Sequence, residues 1–194
     1  MNEPQRRVVI TGGPCSGKTS VIEALAERGF YTVGECAIEV ISELTRQMGL
    51  EGQALWRARQ PHRFQELILV RQRAREAAIP GSANLVFLDR GIQDGLAYMQ
   101  HYGLEVDRET QEAYGPCSYH SVVLLDTLSG FVDRLDTGRT ETHQEALAIR
   151  DRILTVYQAC QLPICILPEM SIDERVAKIL SSLTVPAERD KADC

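Results

Sequence analysis

The chain has 194 residues, of which 44% are hydrophobic and 25% charged, a balance typical of a soluble globular protein with a substantial core. Its formal net charge of -6 offers no overall attraction to nucleic acid or to an anionic membrane surface. No apolar run approaches the roughly 20 residues that a membrane helix needs, and residues 1–7 lack the apolar stretch of a secretory signal.

A glycine-rich loop lies between the first predicted strand and the first predicted helix. Residues 7–11 form a short apolar run suited to a buried strand, and Val21, Ile22 and Leu25 recur at the spacing of a helix face. Between them, residues 12–19 fit the pattern G-x-x-x-x-G-K-[ST], which wraps the phosphates of a nucleotide. This context predicts a nucleotide-binding loop rather than a glycine-rich turn before an ordinary helix.

The residue types in this loop match the chemistry of a triphosphate. Backbone N–H groups that converge at a helix N-terminus bind phosphate oxygens, and glycines permit the close approach. Lys18 can reach the β- and γ-phosphates, and the hydroxyl of Thr19 can ligate Mg²⁺. Pro14 has no N–H and therefore cannot donate. The residues predicted to bind the cofactor ATP are Gly12, Gly13, Pro14, Cys15, Ser16, Gly17, Lys18, Thr19 and Ser20.

The rest of the chain alternates between predicted strands and helices. Further strands are predicted at residues 31–33, 84–89, 122–126 and 164–167. Helices are predicted at residues 37–47, 64–78, 92–102, 109–114, 144–160 and 171–183, and residues 48–61 fit neither pattern clearly. Ser171 is predicted to cap the last helix together with Glu174. Apolar strands separated by helices predict an α/β fold, with a parallel sheet covered on both faces and one domain over residues 1–194.

Charged residues follow the predicted strands at the edge where such sheets bind ligands. Asp89 ends an apolar strand, so its carboxylate can hold the Mg²⁺ shell, and Thr19 and Asp89 are the predicted metal ligands. Arg90 offers a planar fork that matches phosphate or carboxylate. Without the preceding loop, Asp89 and Arg90 would instead fit a helix cap and a surface ion pair.

Two features leave alternatives open. Glu35 follows the second strand and is either a base for a substrate hydroxyl or a carboxylate that stabilises a helix N-terminus. Six arginines between residues 57 and 75 either lie on solvated helix faces or line a groove for an anionic acceptor.

The polar segment 127–143 is predicted to be a lid that closes over the site and excludes water. Arg139, with Arg134 as the second candidate, would neutralise charge that develops on the transferred group. A solvated loop is the alternative. The polar residues 186–194 are predicted to form a flexible tail.

The six cysteines have no paired spacing, which predicts reduced thiols and a cytoplasmic location. Cys15 lies within the glycine-rich loop, as either a small filler or a thiol open to redox regulation.

Several of these motifs together resemble a family. The chain is similar over nearly its whole length to the small P-loop NTPase and kinase family labelled AAA domain, which includes the ribosylnicotinamide kinase domain of NadR. The matching segments are residues 8–19, Glu35-Cys36-Ala37, Asp89-Arg90-Gly91 with Asp94, Asp136 to Arg139, and residues 171–175.

The resemblance implies a three-layer P-loop NTPase fold, with five parallel strands in the kinase-like order 2-3-1-4-5. The family resembles nucleoside and nucleotide kinases more than ring-forming ATPases. The sequence shows no separate helical lid domain with an arginine finger, which argues against assembly into a ring. We expect ATP- and Mg²⁺-dependent phosphoryl transfer to a small hydroxyl-bearing acceptor, such as a nucleoside. The predicted catalytic residues are Lys18, Glu35, Asp89, Arg90 and Arg139.

The alternative function is a nucleotide-operated switch, or a slow ATPase or GTPase, that acts through a protein or ligand partner. The guanine-reading pattern Asn-Lys-x-Asp is absent from the sequence, which favours ATP over GTP. The identity of the acceptor and the oligomeric state do not follow from the sequence, because acceptor pockets are built from scattered side chains.

Overall fold

The computed structural model describes residues 4–130 and 141–184. Within these residues the strands are β1 (Arg6–Gly12), β2 (Tyr31–Val33), β3 (Leu85–Asp89), β4 (Ser121–Leu125) and β5 (Ile164–Leu167). The helices are α1 (Lys18–Glu27), α2 (Cys36–Arg59), α3 (Pro61–Ala77), α4 (Asp94–His101), α5 (Arg108–Tyr114), α6 (His143–Ala159) and α7 (Ile172–Thr184).

The strands form one parallel sheet in the order β2-β3-β1-β4-β5, which confirms the predicted fold class. β1 lies at the centre of the sheet, where Ile10 is opposite Asp89 of β3 and Val123 of β4. This register places the end of β1, which leads into the glycine-rich loop, beside the end of β3. The predicted site residues on these two strands therefore meet at one edge of the sheet.

Apolar side chains fill both faces of the sheet. Val8 and Ile10 of β1 pack with residues of α1 and α7 on one face. Val9 points the other way and packs with residues of α4 and α6. Because successive strand residues alternate between faces, an almost continuous apolar strand can supply two cores at once. Together the sheet and the two sets of helices make three layers.

The segment at residues 48–61, ambiguous in the sequence, is helical. α2 continues to Arg59 but breaks at Gly49, which has a left-handed backbone (φ 76, ψ 171). Glycine adopts this conformation without the steric cost that a side chain would add. Pro61 then occupies the first turn of α3, where the missing N–H is not needed. The two helices pack against each other beside α4.

The predicted cap of the last helix is confirmed. The backbone N–H of Glu174 donates to Ser171 Oγ (3.3 Å), and the N–H of Ser171 donates to the Glu174 carboxylate (3.0 Å). Most of the predicted lid, with Arg134, Asp136 and Arg139, and the predicted tail at 186–194 lie outside the described residues. Across residues 4–130 and 141–184, no helix has the length and hydropathy required to cross a bilayer.

Candidate active site

The glycine-rich loop makes two close backbone approaches between β1 and α1. A Cβ atom on Gly12 would lie 2.4 Å from the carbonyl oxygen of Leu125, and one on Gly13 would lie 2.3 Å from that of Ala146. Gly17 has a left-handed backbone (φ 80) immediately before α1 begins. Glycine is therefore required here by space and by conformation, and the first N–H groups of α1 remain available at the loop.

Lys18 folds back over the loop. Its Nζ donates to the carbonyl oxygens of Gly12 (3.2 Å) and Gly13 (2.8 Å) and to Ser16 Oγ (3.1 Å). The side chain is buried, whereas Thr19 beside it is exposed. A buried ammonium group at a helix N-terminus is a strong point charge for phosphate oxygens.

Arg175 of α7 links the glycine-rich loop to the end of β5 by hydrogen bonds. Its Nη1 donates to the carbonyl oxygen of Ser16 (2.5 Å), and its Nη2 donates to that of Pro168 (3.1 Å). Burial lowers the pKa of Arg175, against the opposite influence of Glu169 and Asp126. Because Arg175 fixes the carbonyl of a loop residue, it holds the loop in the shape that presents its N–H groups.

Arg90 joins the loop to the predicted base. Its Nε donates to the carboxylate of Glu35 (3.2 Å), and its Nη1 donates to the Gly12 carbonyl (3.2 Å) and to Asp94 Oδ1 (3.2 Å). All of these side chains are buried. One guanidinium group therefore contacts the ends of β1 and β2 and the start of α4.

The charge of Arg90 is maintained inside the protein. Burial by itself would lower its pKa, but Tyr98, Glu35, Asp94 and Asp89 raise the pKa well above its ordinary value. The guanidinium carbon also lies 5.1 Å from the centre of the Tyr98 ring, a cation–π contact. The group thus stays cationic although it is buried.

The backbone of Arg90 is strained. Its φ of 71 lies in the left-handed region, which is unusual for a residue with a long side chain. Both of its backbone polar groups are held: its N–H donates to the Ile10 carbonyl (3.0 Å), and its carbonyl accepts from Gln72 Nε2 (3.2 Å). Strain of this kind persists where the surroundings enforce it, commonly at functional sites.

Asp94 is the residue on which this arrangement depends. Besides Arg90, its carboxylate accepts hydrogen bonds from Thr11 Oγ1 (2.5 Å), the Tyr157 hydroxyl (2.7 Å) and the N–H of Gly91 (2.9 Å). These partners come from β1, α6 and the turn after β3. Asp94 therefore positions Arg90 relative to the loop.

Glu35 stands at the N-cap of α2, but its side chain makes no capping hydrogen bond. Its carboxylate turns towards Arg90 instead and is 8% exposed as a residue. The carboxylate of Glu35 thus lies both at the N-terminus of α2 and beside Arg90. The ion pair with Arg90 orients the carboxylate.

A cavity of about 590 Å³ opens beside Glu35 and Arg90. α2, α3, α4 and α5 contribute its walls, which are mostly apolar. Aromatic side chains line much of it: Phe64, Tyr98, Tyr102 and Tyr114. A concave apolar chamber with a few polar groups at one end is the usual form of a small-molecule site.

The predicted Mg²⁺ ligands have suitable chemistry. The Thr19 hydroxyl and the buried Asp89 carboxylate are oxygen donors, which Mg²⁺ prefers, and Mg²⁺ is commonly held by one or two protein groups with substrate phosphates. In the described part of the chain, no cluster of three or more His, Cys, Asp or Glu side chains could hold a metal by itself. These residues fit a metal that arrives with a nucleotide.

The structure thus brings Lys18, Glu35, Asp89 and Arg90 to one end of the sheet, and Arg139 lies outside the described residues. Sequence analysis did not assign Asp94, Gln72 or Arg175 to the site. Asp94 and Arg175 stand in segments that carried the family resemblance, which was the available signal. Gln72 lies on an arginine-rich helix and gave none.

The sequence matches the AAA domain family over residues 7–175. The chain belongs to the AAA domain family. It has no significant sequence match among curated proteins.

This AAA domain is similar in structure to solved kinases. A thymidylate kinase from Ehrlichia chaffeensis has a TM-score of 0.62 and 14% identity, over 94% of this chain and 100% of that chain. A deoxyadenosine kinase from M. mycoides, solved with dCMP and a flexible dCDP bound, has a TM-score of 0.58 and 12% identity, over 91% of this chain and 97% of that chain. At such identities the likeness establishes a P-loop kinase-like fold, and function has to be argued from the site.

Proposed function

We propose that this AAA domain is a kinase that transfers the γ-phosphoryl group of ATP, with Mg²⁺, to a hydroxyl group of a small acceptor. The observation that carries the proposal is the position of Arg90, which contacts both the glycine-rich loop at Gly12 and the carboxylate of Glu35 at the cavity wall. A donor phosphate at the loop and an acceptor in the cavity would meet at this guanidinium group.

Each residue at this meeting point has a defined role in the proposal. The loop N–H groups and Lys18 bind the triphosphate, and Thr19 and Asp89 hold the metal. Mg²⁺, when bound, neutralises charge on the β- and γ-phosphates. Glu35 accepts the proton of the acceptor hydroxyl. Arg90 stabilises negative charge on the transferred group from a fixed position, so no reorganisation is needed at the moment of reaction.

The kinase proposal is supported by how the cavity is built. Transfer to a hydroxyl group requires that the acceptor displace water near the γ-phosphate. A mostly apolar chamber beside the loop provides such an environment, whereas a plain hydrolase or switch has no need of it. The fold likeness to a thymidylate kinase and a deoxyadenosine kinase points in the same direction.

The test is acceptor-dependent ATP consumption. The protein is incubated with ATP, Mg²⁺ and a panel of hydroxyl-bearing small molecules, and products are followed by ³¹P NMR and mass spectrometry. We expect ADP and a phosphorylated acceptor in equal amounts, both lost in Lys18→Ala. Release of inorganic phosphate without a phosphorylated acceptor across the panel would contradict the proposal and favour the slow-ATPase or switch alternative.

A further inference from the structure

The charges that line the cavity carry information about the acceptor. Among the described residues, three carboxylates and two guanidinium groups line it, a net charge of -1. These residues are Glu35, Asp94, Glu141, Arg57 and Arg90. A site that recognises a phosphorylated acceptor would need surplus positive charge at the reacting end.

Arg90, the cation at that end, is already engaged. Its Nε and Nη1 donate to Glu35, Asp94 and the Gly12 carbonyl. Its Nη2 is buried and has no hydrogen-bond partner among residues 4–130 and 141–184. Arg90 can therefore donate hydrogen bonds to an incoming oxygen atom from one nitrogen only. It cannot form the bidentate pair of hydrogen bonds by which arginine binds phosphate.

Arg57 lines the cavity beside the start of α3. Its Nε donates to Gln53 Oε1 (2.8 Å), and its guanidinium carbon lies 5.3 Å from the centre of the Phe64 ring. Phe64 precedes Gln72, which contacts the Arg90 carbonyl, by eight residues of α3, or about 12 Å along a helix. Arg57 thus contacts α3 near its start, whereas the backbone of Arg90 contacts α3 about two turns further along.

Several arginines on α3 pair with carboxylates outside the cavity. These pairs are Arg63–Glu66, Arg71–Glu43 and Arg75–Glu39, with N–O distances of 2.6, 2.6 and 2.7 Å. For these three arginines the structure favours solvated helix faces, whereas Arg57 of the same segment lines the cavity. Residues 131–140 contain two arginines and two aspartates, so their formal charges balance.

Glu141 adds a further group that disfavours an anion. Its Oε1 accepts from the Tyr102 hydroxyl (3.4 Å), and its Oε2 is buried without a hydrogen-bond partner in the described part of the chain. A carboxylate oxygen in this position attracts hydrogen-bond donors and repels phosphate.

We propose, on the basis of the kinase function above, that the acceptor is an uncharged alcohol of nucleoside size and carries no phosphate at its reacting end. The volume lies within the roughly 300–1,000 Å³ of small-molecule sites, and the aromatic walls suit a flat ring. Glu35 and Asp94 would repel a dianion, whereas they leave a neutral hydroxyl free to donate its proton to Glu35.

The experiment compares matched acceptor pairs. Adenosine, guanosine, cytidine, uridine and thymidine are each tested against their own 5′-monophosphates. ATP consumption is measured at equal concentrations, and acceptor affinity is measured by calorimetry in the presence of a non-hydrolysable ATP analogue. We expect at least one nucleoside to be phosphorylated, with kcat/KM at least about 100-fold above that of its monophosphate, because like charges in a buried site oppose binding strongly.

The outcomes separate this inference from the kinase proposal. Faster phosphorylation of a monophosphate than of its parent nucleoside would overturn the inference and leave the kinase proposal standing. Binding of no nucleoside by a protein that binds the ATP analogue would also overturn it. Failure to bind the ATP analogue would instead refute the kinase proposal.

Two variants probe the charge argument directly. Glu35→Gln should reduce phosphorylation of the nucleoside by at least about 100-fold and raise the affinity for the monophosphate relative to the nucleoside by about 10-fold. Glu141→Gln removes a charge further from Arg90 and should shift the affinity ratio in the same direction, by about 3-fold. The matched control is Glu51→Gln on the exposed side of α2, which should change neither value. An unchanged affinity ratio in both cavity variants would refute the charge argument.

Discussion

The proposed phosphate end, which consists of residues 12–20, and the proposed acceptor cavity beside Glu35 are built in different ways. At the phosphate end, consecutive residues of one strand, loop and helix supply the binding groups, and most of these groups belong to the backbone. In the cavity, side chains from four helices between Glu35 and Tyr114, together with Glu141, make the walls. A backbone site tolerates little change at its glycines, whereas a side-chain site can be remodelled one residue at a time. Under the kinase proposal, the choice of acceptor can therefore change while the nucleotide site stays the same.

Asp94 contacts Thr11 of β1 and also lines the cavity, so its removal should disrupt both regions. Asp94→Ala leaves Arg90 with one carboxylate partner fewer and leaves the Thr11 and Tyr157 hydroxyls without their acceptor. We expect the free energy of unfolding, measured in urea, to fall by about 3–5 kcal/mol, because a buried ion pair loses one member. The control Asp151→Ala removes an exposed carboxylate and should stay within about 0.5 kcal/mol. A loss below about 1 kcal/mol for Asp94→Ala would contradict the central role of this residue.

Lys18 belongs to the phosphate end alone, so its removal should separate the two regions. Lys18→Ala should lower ATP-dependent turnover by at least about 100-fold, because a fixed positive charge at the developing phosphate charge is lost. Binding of the acceptor in the cavity should persist in this variant, as calorimetry can show. Lys178→Ala, on the exposed side of α7, is the matched control. Parallel loss of acceptor binding in a folded Lys18→Ala protein would mean that the two regions are not independent.

Arg175 tests how far the phosphate end depends on support from outside its own segment. Arg175→Lys keeps a cation but loses the fork that reaches the Ser16 and Pro168 carbonyls. We expect the free energy of unfolding to fall by about 1–2 kcal/mol, with weaker nucleotide binding. Arg28→Lys alters an exposed arginine that also joins α1 to α7 and serves as the control. Unaltered nucleotide affinity in Arg175→Lys would show that the loop holds its shape without α7.

Tyr114 belongs to the cavity alone, and its effect on stability should be confined to alkaline pH. Burial, with a smaller contribution from Glu66, raises the pKa of Tyr114 from 10.0 to about 12. Below pH 10 the residue is protonated in both the folded and the unfolded chain. Between pH 10 and 12 the unfolded chain loses this proton first, so stability should fall as pH rises.

The measurement is the unfolding midpoint in urea at several pH values from 7 to 12. Wild-type protein should lose more stability above pH 10 than Tyr114→Phe does, by no more than about 3 kcal/mol. The two proteins should show parallel pH dependence below pH 9. Identical curves above pH 10 would mean that the hydroxyl is hydrated in the cavity.

The sequence predicts the sheet and marks the glycine-rich loop between β1 and α1, because both have local signals. Buried strands are short apolar runs. The loop is a contiguous pattern, and its glycines are required by close backbone contacts and by a left-handed backbone. The second half of α2 was not assigned, because Gly49 interrupts the helical period and the following residues are mixed. Asp94 and Arg175 act through contacts across 83 and 159 positions of the chain, which no local pattern encodes. The cavity follows from how four helices pack, so its volume and charge could be known only from the fold.

The break at Gly49 has a consequence for the range of acceptors. Apart from the adjoining backbone of α2, no atom of the described residues lies within 4 Å of the place where a side chain at this position would begin, so the left-handed backbone opposes a larger residue. A substitution there would favour an unbroken α2 and redirect residues 50–59, including Ala54 and Arg57 of the cavity wall. The shape of the cavity can thus be changed by a substitution at a position that is not part of its lining.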